Sequence, residues 1–143
     1  MQKAFLSLNT EMHTAMIRRI DADAEGLHIL TVSDDKTARL WDRSSGRLLQ
    51  TFRPPVGEGN EGMLYAGAIA PDGGAIAVGG WTSPDGLNDK IYIFNSSSGK
   101  IEHCITGLPI VILYLQYSPD GRYLVAALGG SNGIRVYRTG YYR

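Results

Sequence analysis

The feature that most limits what this chain can fold into is a turn that returns at a near-constant interval. Gly26 closes "AEG", Gly73 closes "PDG" and Gly121 closes a second "PDG", at spacings of 47 and 48 residues. Each turn is followed by an apolar run: "LHILTVS", "GAIAVGG" and "RYLVAALGG". Each of these is followed by an alternating run: "TARLWD", "KIYIFN" and "GIRVYR". A further run precedes each turn ("TAMIRRI", "LYAGAIA", "VILYLQYS"). After the alternating run come "RSSGRLLQTF" and "SSSGKIEHCIT", but only "TGYYR" follows the last one. Such self-similarity makes the chain one small unit copied three times.

The unit is built of strands. In "TARLW", Ala38 and Leu40 face one side while Thr37, Arg39 and Trp41 face the other. In "IYIF", Ile91 and Ile93 oppose Tyr92 and Phe94. Alternation of β-favouring residues predicts strands, and bulky residues on both sides predict sheets covered on both faces. The best helical candidate, "EMHTAMIRRIDADAEG", fits the strand period as well, and we read a strand there. The 18 glycines are spread between runs rather than clustered, as tight turns require.

Four strands in each repeat, with a period near 45 residues, is the pattern of a propeller blade. The expectation is therefore an all-β chain, a β-propeller segment of three four-stranded blades. With strands lettered a to d in each blade, the order is d-abcd-abcd-abc. Residues 1–10 hold a d strand that completes another blade, residues 11–53 blade 1, 54–107 blade 2 and 108–143 blade 3 without its d strand.

"SDDKTARLWDRSSGRLLQTF" resembles the core of a WD repeat. "YSPDGRYLVAALGGSNGIRVYR" resembles a second, with Tyr in place of Trp. "IAPDGGAIAVGG" with "KIYIFNSSSGKI" resembles a third, with Phe-Asn in place of Trp-Asp. More narrowly, the chain is similar to WD-repeat segments of bacterial proteins that also carry a caspase-like peptidase domain. The resemblance implies a structural tetrad in blade 1 of His13, Ser33, Asp35 and Trp41, with Thr31 as the other candidate hydroxyl. It also implies a non-catalytic platform for protein partners. Ser, His and Asp together also suit a hydrolase, but the blade pattern already accounts for each of them. The other two repeats lack the set: Gly79 and Gly80 stand where the hydroxyl would be, and Phe94 and Tyr137 replace the tryptophan.

Three blades are too few for a ring, which takes about 4–8. Two readings follow. In one, the chain self-associates: the strand bearing Phe5, Leu6 and Leu8 completes the edge formed by Ile134, Val136 and Tyr137 of another copy. A dimer then gives six blades and a trimer nine. In the other, the sequence is part of a longer propeller, such as a regulatory segment joined to a caspase-like enzyme. An enzyme with a site at the centre of a propeller would need convergent charged residues, yet strand a is largely apolar in repeats two and three.

Other chemistry finds little support. Lys plus Arg and Asp plus Glu both number 14, without a basic stripe, which argues against nucleic acid or an anionic membrane. The longest apolar run, "LPIVILYL", falls well short of the roughly 20 residues of a spanning helix. With no signal-peptide core and a single cysteine, Cys104, the expected location is the cytoplasm. "DADAEG" resembles the start of an EF-hand loop, but Val32 occupies the position of the required glutamate. His103 and Cys104 point to opposite faces of a strand. "GGSNG" reads as a hairpin turn, with Asn132 and Gly133 at positive φ. No metal and no cofactor are expected.

Two loops are longer than the pattern requires: "RPPVGEGNEGM" and "WTSPDGLNDK". On a propeller they emerge on the same rim. They would present Pro54, Pro55, Trp81 and Pro84 beside Glu58, Glu61, Asp85 and Asp89 as a protein-binding surface. The plainer alternative is a pair of solvated loops with Trp81 packed on its blade.

Overall fold

A computed structural model describes residues 12–142. Eleven strands form three antiparallel sheets. Sheet one runs β1 (Ile17–Ala22), β2 (His28–Ser33), β3 (Ala38–Asp42) and β4 (Leu48–Phe52) in sequential order. Sheet two repeats it with β5 (Met63–Ile69), β6 (Ala75–Trp81), β7 (Asp89–Asn95) and β8 (Ile101–Leu108). Sheet three has β9 (Ile112–Tyr117), β10 (Tyr123–Leu128) and β11 (Ile134–Arg138). After β11 the chain turns, with Tyr141 and Tyr142 N–H donating to the Arg138 carbonyl, and no fourth strand forms among the described residues. The d strand expected over residues 3–8, with Phe5, Leu6 and Leu8, lies outside the described residues.

The copies agree in register. Ile20 opposes Thr31, Gly67 opposes Val78 and Leu115 opposes Ala126, all at equivalent positions. The first strand of each sheet skips one ladder position at the same place, leaving Arg18, Tyr65 and Leu113 unpaired. The first strand also starts later than "TAMIRRI" predicts. Residues 13–16 are taken up by the neighbouring hairpin: Thr14 N–H donates to Asp35, and the Met16 carbonyl accepts from Asp34 N–H.

The alternation of each strand feeds two seams. At the first, Leu30, Val32, Ala38 and Leu40 of sheet one meet Leu64, Ile76, Val78 and Phe94 of sheet two, all buried. Phe52 and Phe94 cross it with ring centroids 5.3 Å apart, a tilted contact worth about 1 kcal/mol beyond its buried area. At the second, Ala66, Ala77, Ile91 and Ile93 of sheet two meet Ile112, Leu115, Leu124 and Ala126 of sheet three. Sheet two is thus covered on both faces, as the bulky alternation predicts. Among the described residues, sheets one and three each pack an apolar core on one face only; the other face of sheet one also buries the polar Thr31, Ser33 and Arg39.

Close packing at both seams depends on a missing side chain. A Cβ at Gly67 would lie 2.4 Å from Val32 Cγ1, and one at Gly79 would lie 3.1 Å from Ile112 Cβ. Polar bonds also tie the first seam: Asp21 accepts from Ile69 N–H at 3.0 Å, and Ala24 N–H donates to the Pro71 carbonyl at 3.0 Å. Among the described residues no hydrogen bond crosses the second seam, which relies on apolar contact and on Tyr142 set against the His103 ring at 4.9 Å.

Candidate functional site

Three places carry polar chemistry: the β2–β3 hairpin, its counterpart β6–β7, and a cleft along the first strands.

In the β2–β3 hairpin, His13 sits between two partners. Its Nδ1 lies 2.8 Å from Asp35 Oδ2 and its Nε2 lies 2.7 Å from Thr31 Oγ1. Trp41 Nε1–H donates to the same Thr31 oxygen at 2.9 Å. The chain of bonds therefore runs Asp35, His13, Thr31, Trp41. The hydroxyl is Thr31, and Ser33 is the correction. Ser33 Oγ accepts Asp35 N–H at 3.0 Å and donates to the Ala15 carbonyl at 3.3 Å. Both hydroxyls face the same side of β2, but Ser33 borders the turn, where the N–H two residues on captures it. Thr31 pairs with Arg39, two ladder steps from the Ile29–Trp41 pair and on the same face, within reach of the indole.

Asp35 is well supplied with donors. Oδ1 accepts from Thr37 Oγ1 at 2.6 Å and Thr37 N–H at 2.9 Å, and Oδ2 also takes Thr14 N–H at 3.0 Å. Burial pushes its carboxyl up, but the bonds from Thr37, His13 and Thr14 outweigh that and hold it below the usual carboxylate range. No hydroxyl here is aimed at open space, so the Ser, His and Asp do not form a nucleophile with its base. The turn is closed by Lys36 at φ 71°, whose Nζ donates to the Gly57 carbonyl at 2.9 Å and ties the hairpin to the long linker after sheet one.

The carboxylates of "DADAEG" are also used internally. Asp23 is buried, accepts the N–H groups of Leu27 and His28, and lies 2.6 Å from His28 Nδ1. It is a packed turn residue, while Glu25 is exposed. No group of three or more His, Cys, Asp or Glu side chains among the described residues could hold a metal. In "GGSNG" the positive φ falls on Gly130 and Gly133 rather than on Asn132.

In the β6–β7 hairpin, β6 runs to Trp81 and β7 starts at Asp89, so residues 82–88 form the loop proper. Asp89 is fully buried, which takes it off the predicted rim. Its Oδ1 accepts Thr82 N–H at 2.5 Å, with the hydroxyls of Thr82 and Ser83 at 3.3 and 3.4 Å, and this closes the loop. Its Oδ2 is buried without a partner, and so is Trp81 Nε1. Burial prevails over those bonds and pushes the Asp89 carboxyl up. Trp81 is half-buried, its ring against Gly86, where a Cβ would lie 3.1 Å from Cε2. Pro54 is buried and Glu61 half-buried, while Pro55, Glu58, Pro84 and Asp85 are exposed. The two loops meet where Gly62 N–H donates to the Trp81 carbonyl at 2.7 Å. The rim that remains is proline-rich and acidic, with Trp81 folded against it.

The third place was not anticipated from the sequence. The three unpaired residues of the first strands, Arg18, Tyr65 and Leu113, line one cleft of about 470 Å³ together with Met16 and Arg19. A bulge re-aims the residue that it releases from the ladder, and three bulges in register turn three side chains toward the same opening. Arg18 forms a two-pronged pair with Asp34, at 2.8 Å (Nε to Oδ1) and 2.7 Å (Nη2 to Oδ2), and its Cζ lies 5.5 Å from the centre of the Tyr65 ring. The signal was the spacing of residues 18, 65 and 113, at the same 47- and 48-residue intervals as the turn glycines, which periodicity alone does not mark as bulged.

Of the predicted closure residues, Ile134 and Val136 are exposed on the uncovered face of sheet three. Tyr137 is a correction: it alternates with them and packs half-buried toward sheet two.

Residues 6–42 match the model of the WD domain, G-beta repeat. The chain is 24% identical over 127 residues to the nuclear distribution protein nudF 2 of Penicillium rubens, covering 81% of this chain and 27% of that protein. It is 41% identical over 46 residues to a ribosome biogenesis protein BOP1 homolog of Culex quinquefasciatus, covering 32% of this chain and 5% of that protein. The chain thus spans about a quarter or less of the length of these curated relatives. Both are eukaryotic, and neither bears on the narrower likeness to bacterial peptidase-linked segments. Three in-register antiparallel sheets of blade type and a repeat-model match over the first of them lead to one assignment: the chain carries a WD-type repeat over residues 6–42, within an all-β fold whose sheets resemble WD propeller blades.

Proposed function

We propose that the chain is a non-catalytic scaffold for protein interaction that completes its propeller by associating with itself. One observation carries this reading: sheet two is covered on both faces, while among the described residues each outer sheet leaves apolar side chains exposed on its other face. Ile17 and Ile20 on sheet one are 46% and 68% exposed, and Ile134 and Val136 on sheet three are 63% and 53% exposed. Apolar sheet faces of this kind mark association surfaces. Light scattering on the purified chain should give a mass of two or three chains. A single-chain mass at every soluble concentration would sink the self-association.

The surface offered to other proteins is the end of the sheets where the Arg18–Tyr65–Leu113 cleft, the linker after sheet one and the β6–β7 loop come together. The tetrad of blade 1 is a structural brace in this reading. The open side of the brace carries no poised nucleophile, which supports a scaffold over a hydrolase. Because Trp81 is folded against Gly86, Trp81→Ala should weaken partner binding only by loosening the loop. A variant that folds normally and keeps every partner would remove Trp81 from the surface.

The short span relative to nudF 2 favours a second reading, in which the covering blades come from a longer chain. The same mass measurement separates the two, since an isolated segment would then stay single or associate without fixed stoichiometry.

A further inference from the structure

The repeat register shows which open face matches which. Call the face of a sheet that looks toward the preceding sheet its near face, and the opposite one its far face. At the first seam the far-face residue Val32 fills the space over the near-face Gly67. At the second the far-face Gly79 admits the near-face Ile112. Residues 32, 79 and 127 are equivalent, and so are 17, 64 and 112, and 20, 67 and 115, because their cross-strand partners coincide in all three sheets.

The open faces carry the same parts. The far face of sheet three has the small Ala127 at the Val32 and Gly79 position, flanked by Tyr114, Val125, Ile134 and Val136, over a hollow of about 370 Å³. The near face of sheet one has Ile17 and Ile20 at the positions that meet that small residue, in line with the buried Thr31 and Arg39 and beside a hollow of about 300 Å³ lined by Ile29, Trp41, His13 and Thr31. Each seam inside the chain pairs a bulky side chain on one face with a small one on the other, and the two open faces continue this rule. Two near faces would instead set Ile17 and Ile20 against their own copies, and two far faces would leave Ala127 opposite Ala127.

We propose that the far face of sheet three seats on the near face of sheet one of a second copy, head to tail, with Ala127 of one copy between Ile17 and Ile20 of the next. This rests on the self-association reading and adds the polarity of the contact. Such a contact is heterologous, and it closes into a ring when its rotation allows.

Two single-face variants test it, with sedimentation or light scattering as the readout and melting curves as the check on folding. Ile20→Glu spoils the near face of sheet one, and Ala127→Glu spoils the far face of sheet three. Each alone should have the mass of one chain. Mixed in equal amounts they should form a species of two chains and stop there, because each brings one intact face. Should Ala127→Glu melt early, Ile134→Glu on the same open face replaces it. If the unsubstituted chain assembles but only one variant is disrupted, like faces are pairing and the head-to-tail contact is wrong. A mixture that stays single-chain overturns it too. A single-chain mass for the unsubstituted protein overturns the self-association reading itself.

Discussion

The β2–β3 and β6–β7 hairpins occupy the same place in successive sheets, and each buries an aspartate. Asp35 lies at the hub of its hairpin, with both oxygens used by Thr37, His13 and Thr14. Asp89 has one oxygen engaged and one buried without a partner. The result is opposite directions of shift: Asp35 is held below the ordinary carboxylate range, whereas burial pushes Asp89 above it. Burial is common to both, and the number of donors decides the sign. One hairpin is stiffened by its charge. The other tolerates its charge in order to close a longer loop.

The largest break in this comparison should come from Asp35→Ala. It leaves His13 Nδ1 and the Thr37 hydroxyl without their acceptor in a site from which water is largely excluded. A loss of about 3 kcal/mol is expected, read by urea denaturation; a loss under about 1 kcal/mol would mean that the network does not brace the blade. Thr31→Val comes next, at about 1.5 kcal/mol, since it deprives His13 and Trp41 of a shared partner. Ser33→Ala should cost less than Thr31→Val. The reverse order would restore Ser33 to the network.

The smallest effect at neutral pH should be Asp89→Asn, within about 1 kcal/mol of the parent, because the charge that it removes is already penalised. Its pH dependence sharpens the contrast. The folded-state pKa of Asp89 is raised, so the stability that it contributes is full below its unfolded value of about 3.9 and is lost as pH rises through the folded one. The parent should therefore gain on Asp89→Asn as pH falls toward 4. Asp35 behaves oppositely: its contribution is present above about 3.9 and is lost as pH falls through its depressed folded value. Denaturation midpoints of parent and variants between pH 3 and 7 check both signs, and parallel curves would refute the contrast.

Much of the fold was legible in the sequence because the turn glycines and the strand alternation repeat in step. All eleven described strands fall where the repeats put them, and the strand ends differ by a few residues where side chains claim the backbone, as at Thr14 and Met16. The site was less legible. Thr31 and Ser33 are both hydroxyls on one face of β2, and only their distance from the turn separates them. Asp89 reads as a loop residue because nothing in "LNDK" announces that Thr82 and Ser83 will fold back over it. The cleft of Arg18, Tyr65 and Leu113 depends on three skipped ladder positions, and a skip of one residue leaves no mark in composition.

The two seams also differ in kind, with a mechanical consequence. Directional bonds latch the first at Asp21–Ile69 and Ala24–Pro71, whereas the second is a smooth apolar joint. Sliding one sheet along its neighbour must break those bonds at the first seam but meets only side-chain friction at the second. A load applied along the strands would therefore make the arc yield between its second and third blades. Torsional stiffness belongs to the first pair, and compliance to the end where β11 lies open.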